Sequence, residues 1–221
     1  MKEVGNFFVQ DDDTFFQMQY DRKFPMDGEL HQAILDTVPY GGNALDIGAH
    51  VGIWSRQLVK KFDTVYAWEP IGSNSECLRY NVPNVVIIPF AAATKKGIGA
   101  MKTDVVGNYG GYCLSSHAPL ASHQWSDSDR VVKTQVIDDH QFKNISFVQL
   151  HVKGGEYEAL LGCEKTLEQY HPTIVYQAYE HQLRIFKHTV HDIETFLTDL
   201  GYTIELDNTF AQWDITYYIA R

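Results

Sequence analysis

Cysteine and positive charge are both scarce in this chain. Three cysteines, Cys77, Cys113 and Cys163, are spread over 221 residues. An odd, widely spaced set speaks against a disulfide framework or a paired-cysteine zinc site, and for reduced thiols in a cytoplasmic setting. Lys and Arg number 18 against 28 Asp and Glu, a formal charge of −10. Nucleic acids and anionic membranes repel such a surface, so no nucleic acid is expected as a partner. No apolar run reaches the length of a membrane span, so no membrane insertion is expected either. The opening MKEVGNFFVQDDDTFF turns acidic at once and does not read as a signal peptide. Also missing are a G-x-S-x-G elbow, a P-loop and a paired C-x-x-C. His117, His123 and His140, with Asp127, Asp129, Asp138 and Asp139, show no metal-ligand spacing such as H-E-x-x-H, and no metal is expected.

What the chain does have is alternation. Strand-like segments fall at 44–48, 64–69, 85–91, 146–152, 173–178, 202–206 and 215–220, several of them nearly continuous apolar runs. Such runs suit strands covered on both faces. Between them lie helical patterns at 51–62, at 73–80 behind a Ser73/Glu76 capping box, at 156–170, and from Thr189 to a stop at Gly201. The expected fold is α/β: a Rossmann-like, doubly wound, mostly parallel seven-stranded sheet. Only a short stretch around Leu206-Asp207-Asn208 separates the last two strands, too little for a crossover helix, so they should form an antiparallel hairpin at one edge. Residues 1–40, with a strand pair around Asp11-Asp12-Asp13 and a helix near 28–38, read as an N-terminal cap. Residues 41–221 read as one domain, with a polar insertion at 94–130 that suits a binding loop or lid.

The segment ALDIGAHVGIWS, 44–55, combines a strand, a glycine turn and a helix start. Asp46 precedes the turn, and Glu69 closes the next strand 23 residues later. A turn of this kind lets a nucleoside cofactor approach the backbone, and the second acid can grip ribose hydroxyls. The G-x-G-x-x-G spacing of dinucleotide sites is absent. Asp46 would repel a diphosphate but attract an ammonium and a sulfonium. The expected cofactor is S-adenosyl-L-methionine (SAM), bound by Asp46, Gly48, Ala49, His50, Gly52 and Glu69. A structural turn with two incidental acids is the alternative.

DIGAHVG, YAWEP, the helix end Cys77-Leu-Arg-Tyr-Asn81, VQLHVKGGEYEALLGCEKTL and PTIVYQAYEH together resemble the FkbM-type methyltransferases, over roughly residues 41–201. The resemblance implies the class I SAM-dependent methyltransferase fold and O-methylation of a hydroxyl on a sugar, glycan or other small molecule. Asp46, Gly48, Ala49, Gly52 and Glu69 match the family's SAM-site motifs. The fourth strand departs from the pattern. Family members usually read Lys-Ile-Asp-Val-Glu-Gly where this chain reads Gln149-Leu150-His151-Val152-Lys153-Gly154, and Gln177 stands in place of a Glu.

Ligands of open α/β sheets bind beyond the carboxyl ends of the strands, which places His151 at the rim. A histidine there can serve as general base toward an acceptor hydroxyl; a strand-end histidine bonded to backbone is the alternative. Lys153, Glu180, His181, Asn108 and Tyr109 are the expected acceptor contacts, against plain solvated or capping roles. A small-molecule or glycan acceptor is the expected partner, and a homodimer stays open. Two other functions also remain: a non-catalytic SAM-binding or scaffold protein with a degenerate acceptor site, and an NAD-dependent oxidoreductase.

Overall fold

Leu45, Ile47, Val148 and Leu150 are fully buried on one side of their strands, while Ala44 and Phe147 are fully buried on the other. Strands of this kind need cover above and below. The computed structural model supplies it, and describes residues 1–23, 29–102, 107, 108, 110, 111, 113–117, 130–208 and 215–221. A hairpin of β1 (Lys2–Val4) and β2 (Phe7–Val9) leads to helices α1 (Thr14–Asp21) and α2 (Glu29–Leu35). Then β3 (Asn43–Ile47), α3 (Ser55–Leu58), β4 (Thr64–Trp68), α4 (Gly72–Asn81) and β5 (Val86–Ile88) alternate. A separate sheet holds β6 (Ala91–Ala92), β7 (Gly97–Lys102), β8 (Cys113–His117) and β9 (Arg130–Gln135). Alternation resumes with β10 (Ile145–Leu150), α5 (Glu156–Leu161), α6 (Glu164–Tyr170), β11 (Thr173–Tyr176), α7 (Glu180–Leu183) and α8 (Val190–Asp199). The chain closes with β12 (Ile204–Asp207) and β13 (Tyr217–Ala220).

The main sheet runs β12-β13-β11-β10-β3-β4-β5. Five strands from β11 to β5 are parallel, and β13 lies antiparallel between β11 and β12. The expected seven-stranded sheet and its terminal hairpin are therefore present, with β12 as the outermost strand. Winding reverses between β3 and β10, so the carboxyl ends of these two strands open the crevice where an α/β sheet binds its ligands. Phe147 anchors one face, stacked on Phe62 at 5.3 Å and tilted against Trp54 at 6.3 Å. Burying such a ring contributes about 2 kcal/mol. No helix among the described residues is long and apolar enough to cross a membrane.

Several local expectations change. The N-terminal strand pair turns at Gly5 (φ 62°), not around Asp11-Asp12-Asp13. Asp13 instead caps α1, its carboxylate accepting from the Phe16 N–H at 2.8 Å, the use to which a short acidic side chain is best suited at a helix start. The 51–62 helix shrinks to α3. The 156–170 helix splits at Gly162, where an added Cβ would stand 2.6 Å from the Ala93 carbonyl. The Ser73/Glu76 box does not form: Ile71 occupies the N-cap position.

Candidate active site

Strand β3 ends in the glycine turn, and its neighbour β10 ends beside it. Ile47 pairs with Leu150, so the next residues, Gly48 and His151, meet. The His151 N–H donates to the Ile47 carbonyl at 3.0 Å. Gly48 takes φ 89°, and a Cβ there would lie 2.2 Å from the His151 carbonyl oxygen. Only glycine fits that approach. Gly52 (φ 98°) serves packing: its Cβ would meet Leu78 at 2.7 Å and Val82 at 2.9 Å.

Both acids are buried. Asp46 has no exposed surface and accepts a short hydrogen bond from the Ser55 hydroxyl, which ties the strand end to α3. Burial pushes its carboxyl up to about 7, against that bond. Glu69 follows β4. One carboxylate oxygen accepts from the His50 N–H at 2.9 Å; the other accepts from the Ile71 N–H at 2.9 Å and from Asn74 Nδ2 at 3.4 Å. Burial raises this group to about 7 as well, opposed chiefly by the Ile71 and His50 N–H bonds.

Across the turn stand three basic side chains. His50 has a left-handed backbone (φ 52°), and its ring packs against Phe16 and Gly110. Burial and then the nearby Lys153 charge lower it to about 4. His151 is held well below its usual range by burial, Lys153 and His50, in that order. The Nε2 atoms of both histidines are buried, with no partner among the described residues. Lys153 (φ 55°) is partly buried, and desolvation lowers it against the pull of Glu156.

Two clefts meet at this junction. The smaller, about 650 Å³ with its open mouth, runs from Gly48 past Glu69 and Pro70 to the apolar walls of Phe90, Ala91 and Leu114. The larger, about 1250 Å³ measured the same way, lies under α1 and includes Ala49, Asn108, Gln149, Gln177 and Tyr179. Gly48, His50, Gly110, His151 and Lys153 line both.

The family model for the methyltransferase FkbM domain matches residues 46–204. The chain belongs to the FkbM methyltransferase family. Membership of a methyltransferase family speaks against the oxidoreductase alternative. A solved FkbM methyltransferase from Methylobacillus flagellatus KT is similar, with a TM-score of 0.60 and 16% identity over 92% of this chain and 50% of that one. The chain thus spans half the length of that relative. A precorrin 8w decarboxylase from Methanobacterium thermoautotrophicum gives 0.54 at 14% identity, covering 94% and 84%. A Streptococcus mutans protein in complex with SAH gives 0.51 at 12%, covering 88% and 96%. At these identities the structures share the fold. No curated protein matches the chain by sequence.

Within this FkbM-family site, the expected residues separate into groups. Gly48, His50 and Glu69 line the smaller cleft; Ala49 and Asn108 line the larger one. Asp46 and Gly52 lie behind the turn, on the wall of neither cleft. Glu180 and His181, expected at the acceptor, are exposed and line neither cleft. Glu180 accepts from the Val190 N–H at 3.0 Å and faces Arg184 at 3.7 Å, so it serves the helix junction. Tyr179, one residue earlier, takes the cleft position. Tyr109 lies outside the described residues, as do Tyr112, His123, Asp127 and Asp129. Asp138 caps α6 through Lys165 and Thr166, and His140 stacks on Phe142.

Sequence reasoning passed over polar residues of the larger cleft, Asp13, Gln19 and His31 among them. Asp13 reaches it from the start of α1, with one carboxylate oxygen buried and unpartnered. His31 stacks on Trp54 at 4.0 Å, and burial lowers it to about 3. Neither belongs to a motif: Asp13 closes a run of three acids and His31 lies in the mixed ELHQAIL of α2, so neither stands out in the sequence.

Proposed function

We propose that this protein is a cytoplasmic SAM-dependent O-methyltransferase acting on a hydroxyl of a sugar, glycan or other small polar molecule. The observation that carries the reading is the pair of clefts joined at His151. The smaller cleft has the character of a nucleoside pocket: a buried carboxylate at its floor and apolar walls for a flat ring. Each Glu69 oxygen has two acceptor sites, so the oxygen bonded to the His50 N–H keeps one for a ribose hydroxyl. Gly48 and Ala49 would hold the rest of the cofactor along the backbone, with Asp46 fixing the turn from behind through Ser55. SAM, when bound, supplies an electrophilic methyl group.

The larger cleft suits a polar acceptor. Asp13, His31, His50, Gln149 and His151 all line it, and each has a buried polar atom with no partner among the described residues. Buried polar groups are normally satisfied, and five unpaired ones round one cleft favour a ligand rich in hydroxyls. Burial, Lys153 and His50 hold His151 below its usual range, which favours the neutral form, the form that can take the acceptor proton. Its low basicity does not disqualify it, because a hydroxyl oxygen that is gaining a methyl group becomes strongly acidic.

The test is calorimetry with SAM and SAH, followed by labelled-methyl transfer to a panel of sugars and small alcohols. Wild type should bind both ligands and label a hydroxylated acceptor. His151→Ala should keep SAH affinity and lose about a hundredfold or more in turnover. Binding without transfer to any acceptor would favour the scaffold alternative.

A further inference from the structure

Methyl transfer to a neutral hydroxyl leaves Lys153 unused. This residue stands on the wall of both clefts, in a left-handed backbone conformation uncommon outside glycine. Among the described residues its ammonium forms no hydrogen bond and no salt bridge. The neighbouring acid, Glu156, is committed elsewhere, accepting from the Val152 N–H at 3.0 Å and the Gly154 N–H at 2.8 Å. His50 and His151 flank the lysine with unpartnered ring nitrogens and no negative charge. A cation drawn into a cleft is ordinarily paired, and among the described residues only the through-space pull of Glu156, with no direct bond, acts on this one.

We propose that Lys153, with His50 and His151 beside it, forms an oxyanion-binding subsite that takes a carboxylate or phosphate carried by the acceptor. This deepens the methyl-transfer reading and rests on it. An oxyanion at the junction would complete the charge of Lys153 and accept hydrogen bonds from whichever imidazoles it draws toward protonation. It would also orient the neighbouring hydroxyl of the same molecule toward His151. The amino-acid carboxylate of the cofactor has the same chemistry, so the test separates the two sources.

Inorganic phosphate and acetate are titrated into the full chain, free and saturated with SAH, followed by calorimetry and by the ring resonances of His50 and His151. Saturable binding is expected in both states, weakened about tenfold or more in Lys153→Met and retained in Lys153→Arg. Equal anion binding in wild type and Lys153→Met overturns the subsite, as does absence of binding. A second arm compares SAH with its decarboxylated analogue. If Lys153→Met weakens SAH alone, the ammonium serves the cofactor carboxylate, and the acceptor assignment is overturned. Failure of wild type to bind SAH would instead remove the methyl-transfer reading, while the anion titration of the free chain still decides Lys153. Thermal melts of both variants confirm that they fold.

Discussion

Burial of Asp46 makes the glycine turn a pH-dependent element. Burial pushes its carboxyl from the ordinary 3.8 up to about 7 in the fold, so the native state keeps a proton that the unfolded chain releases. The resulting stability is fully present below about pH 4 and is lost as pH rises toward 7. Glu69, raised from 4.5 to about 7, acts in the same direction. His31 and His50 act oppositely: lowered from 6.5 to about 3 and about 4, they cost stability as pH falls below about 6.5. The total profile mixes these slopes, but Asp46→Asn isolates one of them. Wild-type stability relative to this variant should fall by about 1.4 kcal/mol per pH unit between about pH 4 and 7. Urea unfolding at three pH values in that window measures it, and a constant difference would refute the assignment. At this scale, Asp46, Glu69 and His151 were legible because motif spacing and strand ends fix where they stand. Asp13 and His31 were not, because only the packing of distant segments brings them to the cleft.

Helix α8 shows local chemistry agreeing with tertiary structure. The Thr189 hydroxyl accepts from the Asp192 N–H at 3.2 Å, and the Asp192 carboxylate accepts from the Thr189 N–H at 2.7 Å. Thr189→Ala should cost about 1 kcal/mol in urea unfolding, with SAH affinity unchanged because α8 lines neither cleft. Helix α4 carries a similar pattern in Ser73 and Glu76, yet no box forms. Its first turn serves Glu69 instead: Ile71 and Asn74 donate to the carboxylate, and the Ser75 hydroxyl donates to the Glu69 carbonyl at 2.8 Å. Holding the buried acid takes precedence over the cap. The second sheet escaped sequence reasoning for another reason. Its strand β7 reads GIGAMK, and Gly97 and Gly99 depress strand propensity. Pairing with β9, more than thirty residues on, rescues it.

The larger cleft depends on the N-terminal segment being held against the sheet. Asn81 at the end of α4 is the latch: its Oδ1 accepts from the Phe8 N–H at 2.7 Å, and its Nδ2 donates to the Phe8 and Val51 carbonyls, each at 2.8 Å. Gln10 adds a bond to the Ser73 carbonyl, and the Arg56 guanidinium sits 3.6 Å from the Phe7 ring centroid. Asp13, Phe15, Phe16 and Gln19 of this segment line the larger cleft, and none of them lines the smaller. The two clefts should therefore respond differently to loosening. Each lost bond is worth about 1 kcal/mol, so Asn81→Ala should raise amide exchange over residues 2–20 by about tenfold or more. Acceptor affinity should weaken while SAH affinity stays within about threefold. Because Asn81 also holds Val51 beside the glycine turn, Gln10→Ala supplies a variant that loosens the hairpin without touching that contact. If both variants weaken SAH as much as the acceptor, the N-terminal segment supports the whole site and is not a cap on the acceptor cleft.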